Sequence, residues 1–159
     1  MRRTDRGLIL IAAVMFLTLV ASAQSGRPPD ALELPPGSTE LLQPQELVKA
    51  LQSGAAKPVV LYVGPRFLYT QAHIPGAEFI GPKSDPHSLE NLKKRVAALP
   101  KNSPVVLYCG CCPWEHCPNI RPAYKELQKM GVKKVKVLYL ANSFGSNWVD
   151  KGYPVEKGQ

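Results

Sequence analysis

At 159 residues the chain is long enough to bury one hydrophobic core and too short for two independent domains. Twenty Lys and Arg against 12 Asp and Glu give a formal net charge of +8, which favours anionic small molecules or acidic surfaces over cationic ones.

The chain opens with Arg2, Arg3 and Arg6 ahead of an apolar run from Leu8 to Val20, followed by Ala21-Ser22-Ala23. This order matches a secretory signal cleaved after Ala23. The apolar run is shorter than the roughly 20 residues a bilayer span needs. The expectation is therefore a periplasmic or secreted protein, residues 24–159, with no membrane contact after cleavage. Losing three Arg and one Asp lowers the formal balance from +8 to +6. Residues 24–39 are rich in Pro, Gly and Ser and read as a flexible lead; the folded domain is expected over 40–159.

In "QPQELVKALQSG" the residues Leu47, Val48 and Leu51 fall at helical spacing, and Gly54 is placed to end the helix. "PVVLYV" is a short β-branched run bounded by Pro58 and Gly64, as in a strand buried on both faces. A short helix, a tight turn at Ile74-Pro75-Gly76 and a strand around 77–80 come next. "HSLENLKKRVAAL" repeats Leu89, Leu92, Val96 and Leu99 at three- and four-residue steps, which predicts an amphipathic helix. A second buried strand "SPVVLYC", a cysteine loop, a helix from about Ile120 to Met130 stopped by Gly131, and the strand "VKVLYL" complete the series. Lys133, Lys134 and Lys136 around that strand read as a solvated sheet edge. Strands and helices alternate throughout, with no internal repeat. This predicts an α/β domain with a mostly parallel central sheet and helices on both faces.

All four cysteines, Cys109, Cys111, Cys112 and Cys117, fall in "CGCCPWEHC". Cys109 ends the apolar run Val105 to Tyr108, and open α/β sheets bind ligands beyond the carboxyl ends of their strands. A strand-to-helix loop aims backbone N–H groups inward, and the helix N-terminus stabilises a thiolate or an anion. Three readings stay open. A metal site is disfavoured by the spacing, since Cys-x-Cys-Cys-x4-Cys lacks paired C-x2-C knuckles and has no second cluster; His116 reads as a surface residue. Four cysteines in an exported chain allow three disulfide connectivities, of which a bridge from Cys111 or Cys112 to Cys117 is less strained than a vicinal one. Alternatively Cys111, Cys112 or Cys117 resolves an oxidised Cys109 by disulfide formation.

"PVVLYC" before a loop and helix, "HIPGA" at 73–77, and Trp148 with "GYPVE" near the end together resemble the rhodanese family of sulfurtransferases over about residues 40–156. The resemblance implies a rhodanese-like α/β fold and a persulfide mechanism with Cys109 as nucleophile. It carries a sulfane sulfur from a small anionic donor such as thiosulfate to a thiophilic acceptor. Gly110, Cys111, Cys112 and Arg121 are the expected substrate-binding residues; no metal, organic cofactor or nucleic acid is implied. His73 is expected to be a scaffold residue, and Trp148 and Tyr153 packing residues. The chain departs from the family at three points. Its loop is about five residues longer, Asn119 aligns where the family has Arg, and Tyr62-Val63-Gly64 replaces Asp-Val-Arg. The alternative reading is a non-catalytic rhodanese-like module, or a thiol redox or metal-binding protein, whose cysteine loop meets a partner protein.

Overall fold

The computed structural model describes residues 34, 39–53 and 57–158. The expected leader, its cleavage point, most of the Pro-rich lead and the helix stop at Gly54 lie outside them. Among the described residues, no helix is long and apolar enough to cross a membrane.

Four-residue apolar runs become three strands, β2 (Val59–Tyr62), β4 (Val105–Tyr108) and β5 (Val135–Leu138). Two-residue strands β1 (Leu41–Leu42) and β3 (Glu78–Phe79) flank them. All pairings are parallel, in the order β1-β5-β4-β2-β3, so β4 is the central strand. Parallel neighbours need crossovers, and the helices supply them. These are α1 (Pro44–Gln52), α2 (Arg66–Gln71), α3 (Ser88–Ala97) and α4 (Ile120–Lys129), while the short α5 (Phe144–Asn147) follows the last strand.

Successive strand side chains point to opposite faces, and both faces are covered. Leu61, Val105, Leu107, Val135 and Val137 pack with Leu92 and Val96 of α3 and Tyr124 and Leu127 of α4. Val60, Tyr62, Val106, Tyr108 and Leu138 pack with Leu47 of α1, Tyr69 of α2, and Phe144 and Trp148. That is why these strands read as unbroken apolar runs. The helix at 88–97 buries Leu92 and Val96 but leaves Leu89 exposed.

The edge assignment for the lysine-flanked strand is corrected. β5 lies between β4 and β1, and its exposed Lys136 donates to the Thr39 carbonyl. The true edge there, β1, is two residues long, too short for periodicity to reveal. The short α5 and two 3-10 turns, Trp114–His116 and Val149–Lys151, were likewise not predicted.

The "HIPGA" and "GYPVE" segments meet in space. His73 and Glu156 exchange backbone hydrogen bonds at 2.9 Å in each direction as an isolated antiparallel bridge. The Gly76 N–H donates to Glu156 Oε2 at 3.0 Å. His73 is buried, stacks on Tyr69 with ring centroids 3.9 Å apart, and its Nδ1–H donates to the Tyr69 carbonyl. Trp148 is fully buried, and its indole N–H donates to the Pro154 carbonyl at 2.8 Å. The tail thus closes one face of the core.

Trp148→Ala removes a fully buried indole and is expected to cost about 3–5 kcal/mol. Urea unfolding followed by circular dichroism measures it; a loss under about 1 kcal/mol would show that the tail does not close this core.

Candidate active site: a thiol cluster at the end of the central strand

β4 delivers Cys109 to the carboxyl edge of the sheet, 2% exposed. The chain then turns at Gly110, whose φ of 76° suits a residue without a Cβ. A Cβ there would also lie 2.6 Å from Phe144 Cβ and 2.9 Å from the Phe144 nitrogen. The Phe144 N–H donates to the Gly110 carbonyl at 2.9 Å, so this end of the loop is tied to α5. Farther along, the Trp114 N–H donates to the Ala141 carbonyl at 3.1 Å, and the Trp114 ring meets Tyr139 edge-on at 5.3 Å. The 3-10 turn then brings Cys117 back under the strand end, where α4 begins.

All four cysteines are free thiols. Cys109 Sγ–H donates to Cys111 Sγ at 3.2 Å, and Cys111 Sγ is also 3.2 Å from Cys112 Sγ. Cys109, Cys111 and Cys117 hold their sulfurs within 4.8 Å of one another. The Cys112 thiol, at the outer side of Cys111, donates to the His116 carbonyl at 3.7 Å.

Asn119, 6% exposed, organises the cluster. Its Oδ1 accepts the Lys83 backbone N–H at 2.9 Å, which fixes the amide orientation. Its Nδ2–H2 then faces sulfur, 3.3 Å from Cys109 Sγ and 3.6 Å from Cys111 Sγ. Cys117 accepts from the backbone N–H groups of Asn119 and Ile120 at the start of α4, and Cys111 from its own N–H.

These donors decide where negative charge settles. Hydrogen bonds from Cys109 and then Cys117 push the Cys111 thiol well below its ordinary range, against its partial burial. Cys109 is pushed up by donating to Cys111 and Cys117 and by burial. Burial and the bond to Cys111 push Cys112 up. At Cys117 the bond from Cys109 lowers the pKa, but the bond to Cys111 and burial outweigh it. The cluster therefore places its first thiolate on Cys111, half-buried, while Cys109 keeps a proton aimed at it.

Part of the loop's expected inward N–H set is engaged elsewhere. The N–H groups of Trp114, His116 and Cys117 are taken by the carbonyls of Ala141, Pro113 and Trp114, and Pro113 has none. The helix-start donors serve Cys117 instead.

A cavity of about 310 Å³ opens beside Cys109, Gly110 and Cys111, walled by Tyr62, Leu68, Ser143 and Phe144 among others. No Asp, Glu, Lys, Arg or His lines it. Of the expected substrate-binding residues, Gly110 and Cys111 line the cavity, whereas Cys112 and Arg121 do not. Arg121 is half-exposed in the first turn of α4, and His116 is exposed. At the end of β2, a Cβ on Gly64 would meet Tyr62 Oη at 2.4 Å and Cys109 Sγ at 3.0 Å. The space that a side chain at position 64 needs is filled by Tyr62 folded over the thiol. Burial, then Cys109, hold the Tyr62 hydroxyl protonated above its ordinary range. The amide role of Asn119 was missed by sequence reading; its place beside Pro118 at the helix start was the available signal.

Asn119→Asp keeps the acceptor for Lys83 and replaces the sulfur-facing donor with a carboxylate. A like charge raises the thiol pKa and depletes thiolate, so alkylation of the cluster at neutral pH is expected to slow about tenfold or more. Iodoacetamide kinetics with peptide mapping measure this; an unchanged rate would remove the amide from the site.

Comparison with known proteins places these features in a family. The rhodanese-like domain family matches residues 43–144. A comparison with curated proteins gives no match. Among solved structures, the rhodanese-like domain of an Anabaena sp. protein aligns with a TM-score of 0.54 at 21% identity, covering 76% of this chain and 80% of its own. A Rhodopseudomonas palustris protein of unknown function, described as a possible tyrosine phosphatase, gives 0.52 at 22% identity, covering 74% and 84%. A thiosulfate sulfurtransferase from Pseudomonas aeruginosa gives 0.54 at 28% identity, covering 75% of this chain and 19% of that longer one. With a five-stranded parallel sheet, a cysteine at the end of its central strand and a family match over most of the folded region, the chain belongs to the rhodanese-like domain family.

Proposed function

We propose that the protein is an exported sulfurtransferase that carries sulfane sulfur as a persulfide on Cys109. The observation that carries this reading is the Cys109 thiol at the end of the central strand, beside a cavity and 3.2 Å from the sulfur of Cys111. Similarity to a thiosulfate sulfurtransferase supports it.

With thiosulfate as donor, Cys109 Sγ attacks the outer sulfur while its proton passes to Cys111 along the existing contact. The donor S–S bond breaks, sulfite leaves with the bonding electron pair, and Cys109 holds the persulfide. A thiophilic acceptor then attacks the terminal sulfur, and the released Cys109 thiolate recovers the proton from Cys111. Tyr62 and Phe144 shield the sulfur from water, and Asn119 donates to Cys109 throughout. Because no cationic side chain lines the cavity and the Cys111 thiolate does, donors that insert only their sulfane sulfur and keep the anionic end at the mouth are favoured. Cys112 and Cys117 are not needed for transfer. Export, read from residues 1–23, places the reaction in the periplasm or outside the cell.

The test is thiocyanate formation from thiosulfate and cyanide by the reduced chain. Cys109→Ser is expected to abolish it and Cys112→Ser to leave it within about twofold; losing a nucleophile typically costs several orders of magnitude. Equal turnover by Cys109→Ser and the unaltered chain would end this reading.

A further inference from the structure

Cys109, Cys111 and Cys117 come together without forming a bridge, and the arrangement has features that sulfur transfer does not use. We propose that these three sulfurs form a trigonal site for a soft monovalent d10 cation, with copper(I) as its biological instance.

Four observations support it, none of which depends on the sulfur-transfer reading. The first is size. Metal–sulfur bonds of about 2.3 Å put the corners of a planar three-sulfur site about 4 Å apart. The three sulfurs already lie within 4.8 Å of one another, with the Cys109–Cys111 edge at 3.2 Å, so closing on an ion needs only small rotamer adjustments. The second is ligand number. Among the described residues, no fourth Cys, His, Asp or Glu has its ligand atom within 4.8 Å of all three sulfurs; Cys112 touches Cys111 at 3.2 Å but stays outside the group and donates to the His116 carbonyl. Thiolate sets suit both copper(I) and zinc, but structural zinc is almost always four-coordinate, so a three-sulfur group favours copper(I).

The third is the outer shell. Each of the three sulfurs receives an N–H donor: Cys109 and Cys111 from the Asn119 amide, Cys117 from the start of α4. Donors aimed at ligand atoms orient them and offset their charge. The amide is itself oriented by the Lys83 backbone N–H, which leaves its Nδ2–H2 facing sulfur. The fourth is exclusion of water. Cys109 and Cys117 are 2% and 5% exposed, and Trp114 at 8% packs in the same cluster.

Binding forms three copper–sulfur bonds, one to the Cys111 thiolate and two that replace the S–H bonds of Cys109 and Cys117; two protons are released and no electron is transferred. The site then carries a formal charge of −2, in a chain whose formal charge is +8. An ion held here occupies Cys109, so the loaded protein does not transfer sulfur.

The full chain, reduced and handled without oxygen, is titrated with a copper(I) acetonitrile salt against the chelator bicinchoninate and studied by X-ray absorption. The expected result is one ion per chain with three sulfur neighbours. Cys117→Ser and Cys111→Ser are each expected to weaken retention at least about tenfold and leave two sulfur neighbours, while Cys112→Ser changes neither. The half-buried Cys111 keeps the test decisive should Cys117→Ser not fold. Failure to hold copper against the chelator, a four-sulfur zinc site instead, or equal loss with Cys112→Ser would each overturn the proposal. Thiocyanate formation by the metal-free chain is scored separately and does not bear on it.

Discussion

Everything at the site depends on β4 being locked from all four sides. It is hydrogen-bonded to β2 on one edge and β5 on the other, and its side chains are buried on both faces. No register slip is available, because moving the strand by one residue would exchange Val105 and Leu107 with Val106 and Tyr108 between the two cores. The position of Cys109 is therefore set by the most buried element of the fold, and the surrounding loop adapts to it.

The loop is in turn fixed from outside itself. Phe144 and Ala141 hold its first half, and α4 holds its end through Asn119 and Ile120. The polar groups that would be costly to bury here are matched to one another: amide to sulfur, peptide to carbonyl, and thiol to thiol. Preorganisation of this kind suits either a covalent sulfur carrier or an ion site, since both need several sulfurs held close in a dry setting.

The architecture was legible because each long strand carries β-branched residues over four positions and each long helix an apolar stripe. The His73 turn and the Trp148 tail were recognisable as separate motifs, although their contact through Glu156 needed the fold to reveal it. The site was legible only in part. Cys109 could be placed from the strand end, but Cys-x-Cys-Cys-x4-Cys spacing says nothing about a 3-10 turn that returns Cys117 to Cys109. Which thiol the hydrogen bonds favour for charge depends on burial and bond direction, and neither is written in residue order. The same holds for Asn119, whose amide acts through Lys83, 36 positions upstream.

The tight turn at Gly110 has an evolutionary consequence. Because the chain is clamped there and again at the helix start, the stretch between behaves as an insertable cassette. Closure entropy grows only with the logarithm of length, so a few added residues cost about 0.6 kcal/mol or less per doubling. New chemistry at such a locus can be sampled by lengthening one segment while the scaffold underneath stays unaltered.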